Sequence, residues 1–283
     1  MTEDLTVIIV VLVGGEALRA CAEAVRAQVS HLLVVSPDGT VTDASGKRIG
    51  AAEHCNIPCK RKRAVELAST PFVTLIEDTV IPRPGWAAAV ASALQRSAAV
   101  ACGGPVLIAD GLPASSSALA LSEYGAYSNR KPAGPAATLP GCNFAFRRDA
   151  LVKAMTGSEG LVDQIVFERL RKHGGQLVWA SGMAVEFCHA NDEGARLATR
   201  FHHGRIYASS RDRRDLTHRV SAAAKALLLP PLLTMRSLRH AVHAKQLSLP
   251  TLGWVVLQHT AWAAGELAGA VFGSSAKGLS EWR

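Results

Sequence analysis

Apolar positions in the first part of the chain follow two alternating patterns. Short runs rich in β-branched residues, typical of buried strands, alternate with segments that carry alanine and leucine at helical spacing. The runs predict strands at residues 7–13, 31–35, 71–76 and 98–108, and the spaced segments predict helices at residues 16–29, 61–69 and 84–95. Because strands and helices alternate, we expect an α/β fold on a mostly parallel, doubly wound sheet.

The same patterns continue more weakly through the middle of the chain. Helices are predicted at residues 147–155 and 162–172, and short strands at residues 176–179 and 183–187. Residues 111–139 are rich in Ser, Ala, Gly and Pro, which indicates a long mobile loop. We expect one α/β domain at residues 1–210, followed by a helical segment at residues 211–283.

Two apolar runs lie in this last segment, at residues 222–233 and 252–272. The second has about the ~20 residues that a membrane span requires. His259 and Glu266 inside it would be costly in hydrocarbon, so we expect the segment to lie at a membrane interface or to re-enter it. The alternative is a helical hairpin packed on protein. Basic residues between the runs, which fit either phospholipid headgroups or water, are Arg236, Arg239, His240, His243 and Lys245.

Composition points to an anionic or apolar partner. Of 283 residues, 48% are hydrophobic and 19% charged, and the mean hydropathy is +0.15. These values exclude a disordered chain and indicate contact with lipid or another protein. A net charge of +8 favours an anionic partner, but only 5% of the residues are aromatic, which argues against nucleic acid.

The 6 cysteines have no paired C-x-x-C spacing and lie mostly in apolar segments. We therefore expect reduced thiols in a cytoplasmic protein. The acidic start of the sequence lacks the features of a signal peptide, which also argues against export. His54, Cys55 and Cys59 have irregular spacing for zinc ligands, so no zinc site is expected.

Polar residues follow two of the predicted strands. Ligands of doubly wound sheets bind at the carboxyl ends of the strands. In this chain residues 36–39 and the acids Glu77 and Asp78 occupy such positions. Adjacent carboxylates can hold Mg²⁺ or Mn²⁺, which complete their shells with phosphate oxygens and water. The alternative is a pair of surface acids that caps a turn.

Further motifs stand in a characteristic order around these acids. The segments, in chain order, are Asp38, Arg61, Glu77-Asp78-Thr79, Gly141-Cys142-Asn143-Phe144-Ala145-Phe146, Asp163 before Arg169-Leu170, and His189. Over residues 7–207 this order resembles the inverting glycosyltransferases of the GT-A fold, often called family 2. The resemblance implies a GT-A domain that transfers a sugar, with inversion, from a nucleotide diphosphate donor to a hydroxyl of a lipid-linked or glycan acceptor.

The resemblance also implies a role for each matching residue. Asp163 would be the general base that takes the acceptor proton. Asp78 and His189 would bind the divalent metal, Mg²⁺ or Mn²⁺, and residues 111–139 would face the acceptor. Donor-binding positions would be Asp38, Arg61, Glu77, Asp78 and Asn143.

Three basic residues after the last predicted strand are candidates for a further role. Arg200, His203 and Arg205 can offset the charge that builds up on the leaving diphosphate, so we count them among the donor-binding residues. A solvated basic helix is the alternative for this group.

Alternatives also stay open for the other positions. Asp163 can be an acid favoured at a helix N-terminus, and His189 a core histidine. Thr79 stands where the family has a third acid, and Ser36 stands where it has the acid that binds the base. The strength of metal binding and the identity of the base therefore stay open.

Two rival functions remain. A catalytically inactive scaffold or binding subunit of a polysaccharide assembly system could keep the same fold. A nucleotidyltransferase would need a longer glycine-rich phosphate loop than Gly14-Gly15. The apolar tail and the basic charge, and not the fold, lead us to expect the enzyme on the cytoplasmic face of the cell membrane, attached peripherally or shallowly, as a possible homo-oligomer.

Overall fold

The computed structural model of the chain describes residues 2–51, 55–96, 98–128, 131–188, 193–209, 216–244 and 248–273. The chain forms two compact units. The first contains Met1–Ala109 and Asn129–His189, and the second contains Asp110–Ser128 and Ala190–Arg283. This division differs from the boundary expected at residue 210. Residues 110–128 and 190–210 precede that boundary but group with the C-terminal helices.

Strands and helices alternate through most of the first unit, and helices form the second. The strands are β1 (Thr2–Val10), β2 (Val29–Val35), β3 (Thr40–Asp43), β4 (Arg48–Ala51), β5 (Phe72–Glu77), β6 (Val80–Pro82), β7 (Ala99–Gly103), β8 (Val106–Ile108), β9 (Gly134–Pro135), β10 (Asn143–Arg147), β11 (Gln176–Trp179) and β12 (Val185–Phe187). The helices are α1 (Gly15–Arg26), α2 (Ile57–Leu67), α3 (Trp86–Arg96), α4 (Ala114–Tyr124), α5 (Arg148–Ala154), α6 (Asp163–Lys172), α7 (Glu193–Ser209), α8 (Leu216–Ala244) and α9 (Leu249–Phe272).

The first unit is built on a mixed sheet. Within the described residues this sheet runs in the order β4-β3-β2-β1-β5-β10-β7-β11-β9, and a smaller sheet runs in the order β6-β12-β8. β1 pairs in parallel with β2 and β5, whereas β10 lies antiparallel between β5 and β7. Every residue of β5 is buried, which is typical of a central strand with both faces covered.

An aromatic cluster holds α6 against the sheet. Phe144 and Phe146 on β10 pack around Phe167 on α6, with ring centroids 5.2 to 6.1 Å apart. All three rings are fully buried, so the cluster contributes apolar area as well as ring geometry. It thereby sets the position of Asp163, the first residue of α6.

The α/β architecture expected from the sequence is confirmed, with two corrections. Residues 111–139 contain α4, so they are not the expected loop. Ser115, Ser116 and Ser117 are buried on this helix, and a run of small polar residues that serves packing looks like a loop in sequence. The strand expected at residues 98–108 breaks between β7 and β8, where Gly104 meets the Met183 carbonyl too closely for a side chain.

One pair of cysteines also departs from expectation. Cys55 and Cys59 form a disulfide at the start of α2, so the expectation of reduced thiols is wrong for these two. Cys21, Cys102 and Cys142 are buried and form no disulfide. Burial raises the pKa of Cys102 to about 12, which keeps that thiol protonated at neutral pH.

The second unit is helical and contains α4, α7, α8 and α9. α8 contains Pro230 and Pro231 within its helical span. α9 begins at a capped end, where the Ser248 hydroxyl accepts a hydrogen bond from the Thr251 N–H at 3.2 Å. Among the described helices, none combines the length and the apolar character needed to cross a bilayer.

The polar residues that interrupt the last apolar run are buried within this unit. Their hydrogen bonds are Gln258 Nε2 to the Ser115 carbonyl (3.2 Å), His259 Nε2 with Ser237 Oγ (2.9 Å), and Trp262 Nε1 to Glu266 Oε1 (2.7 Å). Burial lowers the pKa of His259 to about 4, so its ring is neutral at pH 7. On this face, α9 packs on protein, as the helical-hairpin alternative expected.

Helices α7 and α9 approach each other through their backbones. A methyl group on Gly204 of α7 would overlap the Trp262 carbonyl oxygen, and one on Gly265 of α9 would overlap the Phe201 carbonyl oxygen. Gly269, one turn beyond Gly265, meets the Arg205 carbonyl in the same way. These glycines therefore set the distance between the two helices.

We expect the Gly265→Ala substitution to destabilise the second unit by about 1–3 kcal/mol or more, because the added methyl group forces two helix backbones apart. The matched control is Gly253→Ala on the same helix, where nothing lies within 4 Å of the added group. That control should stabilise the helix by roughly 0.5–1 kcal/mol. Thermal unfolding followed by circular dichroism at 222 nm compares the two, and equal melting temperatures would contradict the close contact.

Candidate functional site

Several of the residues predicted to carry chemistry meet at one edge of the large sheet. β1 and β5 are parallel, so their carboxyl ends lie side by side, and β5 ends at Glu77. β10 is antiparallel to β5, which brings its first residue, Asn143, beside Ile76 at the same edge. α2 supplies Arg61 to this edge and α6 supplies Asp163. The candidate site therefore lies where doubly wound sheets bind ligands.

Asp78 is fully buried beneath the loop that follows β1. Its Oδ1 accepts hydrogen bonds from the backbone N–H groups of Leu12 (2.8 Å) and Val13 (3.2 Å). Its Oδ2 accepts from Val13 (3.1 Å) and Gly14 (2.6 Å). Both carboxylate oxygens are engaged by backbone, so the structure uses Asp78 to hold the loop between β1 and α1.

Arg61 joins two acids that are far apart in the sequence. Its Nη2 lies 2.7 Å from Glu77 Oε1, and its Nη1 lies 3.0 Å from Asp163 Oδ1. The Arg61 and Glu77 side chains are only 10% and 11% exposed, so this ion pair is largely shielded from water. The guanidinium thus fixes both carboxylates in one arrangement.

Asp163 remains partly accessible at this junction. Its side chain is 21% exposed, and its Oδ1 receives the Arg61 hydrogen bond. Its Oδ2 lies against Gly141, where an added β-carbon would stand 2.5 Å from that oxygen. Desolvation raises the pKa of Asp163, although the Arg61 charge opposes the shift. A carboxylate with a raised pKa is a better proton acceptor than an ordinary surface acid.

The side chain of Asn143 is used inside the protein. Its Oδ1 accepts a hydrogen bond from Trp86 Nε1 at 2.9 Å, and its Nδ2 donates to the Met183 carbonyl at 2.7 Å. The residue is fully buried. The structure therefore places Asn143 as a link between α3, β10 and the segment before β12, and not on a surface that a donor would reach.

Asp38 lies in the exposed turn between β2 and β3. Its carboxylate accepts hydrogen bonds from the Thr40 N–H at 2.8 Å and the Thr40 hydroxyl at 3.0 Å. The backbone hydrogen bond from Thr40 is the main reason that the pKa of Asp38 is lowered. Lys60 of α2 donates to the Pro37 carbonyl, so the turn is tied to the helix that carries Arg61.

The basic residues predicted after the last strand belong to α7 of the second unit. Arg200 pairs with Glu123 at 2.9 Å, and its guanidinium carbon lies 4.7 Å from the centre of the Trp262 ring. Arg205 Nε donates to the Gly273 carbonyl at 2.9 Å, and His203 is half-buried on the same helix. Arg200 and Arg205 thus take part in the packing of the helical unit. His189, the predicted second metal ligand, lies outside the described residues.

The described residues do not supply a ready metal centre. No group of three or more His, Cys, Asp or Glu side chains among them is arranged to hold an ion. Asp78 has its oxygens engaged by backbone N–H groups, and Glu77 is paired with Arg61. These two acids, as they are arranged in the structure, do not fit the cage of a tightly bound cation.

Two features of the site were missed by sequence reasoning. The backbone N–H groups of residues 12–14 hold Asp78, and no side-chain pattern announces them. Gly141 lies against Asp163, although its place in the motif before Asn143 was a usable signal. Because Gly141 has no side chain, the Asp163 carboxylate can lie directly against its backbone.

Comparison with known proteins shows the fold. No family model and no curated protein sequence matches the chain. Among solved structures, the mannosyltransferase PcManGT from Pyrobaculum calidifontis, in complex with GDP-Man and Mn²⁺, superposes with a TM-score of 0.53 at 14% sequence identity. The match covers 95% of this chain and 87% of the other. The chain therefore has the fold of a glycosyltransferase, and its resemblance to the inverting family 2 enzymes stays a prediction.

Proposed function

We propose that the protein transfers a sugar from a nucleotide diphosphate donor to an acceptor hydroxyl, with inversion at the anomeric carbon. The observation that carries the proposal is Asp163, a partly exposed carboxylate with a raised pKa, held by Arg61 at the ligand-binding edge of the sheet. The glycosyltransferase fold supports the same reaction class. The acceptor would be lipid-linked or a glycan.

Asp163 acts as the general base in this mechanism. The acceptor oxygen attacks the anomeric carbon while its proton passes to Asp163 Oδ2, and the bond between that carbon and the diphosphate oxygen breaks. The nucleoside diphosphate leaves with the bonding electrons. Because Oδ1 is held by Arg61, the oxygen that faces Gly141 is the one that takes the proton.

Arg61 and Glu77 position the base and form the wall of the donor site. The Glu77–Arg61–Asp163 arrangement keeps the Asp163 carboxylate in one orientation, as a near-attack geometry requires. Asp78 supports the neighbouring loop through the N–H groups of residues 12–14. Asp38 in the β2–β3 turn remains the candidate contact for the nucleoside.

A divalent cation is a separate part of the proposal. Its support is the Mn²⁺ bound to the structural neighbour. When bound, such a cation offsets the negative charge of a leaving diphosphate. Since Mg²⁺ and Mn²⁺ use one or two protein carboxylates together with ligand phosphates, a site that forms only with the donor is compatible with the described residues.

Calorimetric titration of the full chain with GDP, UDP, TDP and their sugars, each with and without Mn²⁺, tests the proposal. Saturable binding of one nucleotide, followed by release of that diphosphate when an acceptor is added, is the expected result. Affinity that does not depend on Mn²⁺ would remove the cation from the mechanism. Absence of binding to every nucleotide would favour the scaffold function, for which the engaged Asp78 is the structural argument.

We expect Gly141→Ala to lower kcat by about 100-fold and to have little effect on folding. The new methyl group would displace Asp163 Oδ2 by up to about 1 Å, and such a displacement of a catalytic group has an effect of this size. The added β-carbon would stand 2.5 Å from that oxygen. Gly134→Ala is the matched control, because nothing lies within 4 Å of its added group. Steady-state kinetics of both variants, with melting temperatures, checks this. An unchanged kcat in Gly141→Ala would exclude Oδ2 as the proton acceptor.

A further inference from the structure

The most exposed apolar side chains of the described residues are concentrated on α8 and α9. Every large apolar side chain that is more than half exposed lies on one of these two helices, whereas those on the first unit reach only 39%. From these side chains we take Leu227, Leu228, Leu232, Met235 and Leu249, add the half-exposed Leu257, and call this set the apolar face. A concentration of exposed leucines is a feature of surfaces that bind a partner.

The apolar face is the outer side of helices whose inner side is already packed. On α8, Leu228, Leu232 and Met235 follow helical spacing along one stripe. The opposite side of α8 buries Ala226, Ser237 and Ala241. The exposed stripe is therefore a second apolar side of the helix, and internal packing of the unit does not use it.

Charge shows which partner fits this face. α8 contains no acidic residue, and the acid of α9, Glu266, is buried and bonded to Trp262. Lys225 and Arg236 are exposed on one flank of the α8 stripe, spaced by about three helical turns. An apolar stripe with a cationic flank complements anionic lipid headgroups above acyl chains. A second copy would instead bring like charges together.

We propose that the apolar face docks on the surface of a bilayer that contains anionic phospholipid, with α8 and α9 lying in the interface. The leucines enter the boundary between headgroups and acyl chains, and Lys225 and Arg236 contact the lipid phosphates. Among the described helices none is suited to cross the bilayer, which agrees with a docked arrangement. The proposal concerns the second unit alone and does not depend on sugar transfer.

Sedimentation of the full chain with phosphatidylcholine vesicles, with and without phosphatidylglycerol, tests this surface in the absence of any donor. We expect strong binding only when phosphatidylglycerol is present. The double variant Leu228→Glu/Leu257→Glu should bind at least tenfold more weakly, roughly the loss expected when leucines can no longer be buried. Val152→Glu on α5 is the matched control, because Val152 is an exposed apolar residue of the first unit, and it should bind normally.

A second variant keeps the test valid if the leucine substitutions unfold the helices. Lys225→Gln/Arg236→Gln should weaken binding to phosphatidylglycerol vesicles by about 25-fold, or about fivefold per cation, and raised salt should have the same effect. Circular dichroism confirms that each variant is folded. The proposal is overturned if the native chain does not bind these vesicles, or if neither double variant binds them more weakly. The proposal would also be overturned if the native chain forms a dimer in the absence of vesicles and Leu228→Glu dissociates that dimer. The apolar face would then bind a second copy of the chain.

Discussion

Replacing Asp163 with asparagine should reduce kcat by about 10²- to 10⁴-fold, the range expected when a general base is lost. Asparagine has the same shape but cannot take the acceptor proton. Donor affinity should change little, because the carboxylate takes the acceptor proton during sugar transfer and is not needed to bind the donor. Single-turnover kinetics combined with calorimetric donor titration separates the two quantities. Equal losses in donor binding and turnover would contradict the role of Asp163 as the base.

Asp149→Asn is the matched control. Asp149 and Asp163 both lie in the first turn of a helix, α5 and α6, but Asp149 is exposed. If Asp163 served only the helix dipole, both variants would lose about 0.3–1 kcal/mol of stability and neither would lose activity. The proposed mechanism expects a large kcat effect in Asp163→Asn alone.

The pH dependence of the native protein follows from the raised pKa of Asp163. Since the base must be deprotonated, kcat/KM should rise with pH through that pKa, which lies above the usual range of an aspartate. The folded state also holds this proton more tightly than the unfolded state. The contribution of Asp163 to the free energy of unfolding therefore falls as pH rises through the folded pKa, and Asp163→Asn should remove this slope.

Arg61→Met should destabilise the first unit by about 3–5 kcal/mol, because it leaves the buried Glu77 carboxylate without its cation. The same change frees Asp163 from its hydrogen bond, so kcat should fall as well. Chemical denaturation and steady-state kinetics measure the two effects. A stable, fully active Arg61→Met variant would show that the bridge between the two acids is dispensable.

The same helix offers the control for this substitution. Arg63 pairs with Glu66 at 3.1 Å, but the side chains of that pair are 52% and 39% exposed. Arg63→Met should therefore change stability by no more than roughly 0.5–1 kcal/mol. The double variant Arg61→Met/Glu77→Gln completes the comparison, because removal of both charges should recover part of the stability lost in Arg61→Met.

Much of the first unit was predictable from local patterns. The β-branched runs within β1, β2 and β5 are mostly buried in the sheet, and strands that are covered on both faces are apolar along most of their length. The short strands β3 and β4 were not predicted, because their residues are mostly polar or small and form no apolar run. α4 was missed because its buried serines serve close packing.

The candidate site was predicted in part. Glu77, Arg61 and Asp163 were named from the order of motifs, and the structure brings these three together at one sheet edge. Asp78 was assigned to metal and donor binding, but the N–H groups of residues 12–14 occupy its oxygens. Acidic residues in a sequence show which carboxylates are available, whereas their partners depend on which backbone segment folds beside them.

The sequence by itself determined the alternation of strands and helices and the basic and apolar character of the C-terminal segment, and it named three residues that meet at the candidate site, Arg61, Glu77 and Asp163. Only the tertiary structure decided that Gln258, His259 and Glu266 face inward while Leu228 and Leu257 face outward. Hydrophobic periodicity is a local property of a few turns of chain, so the sequence can express it directly. Which of two apolar sides of a helix is covered depends on contacts between segments more than a hundred residues apart, such as Ser115 and Gln258, and these exist only in the folded chain.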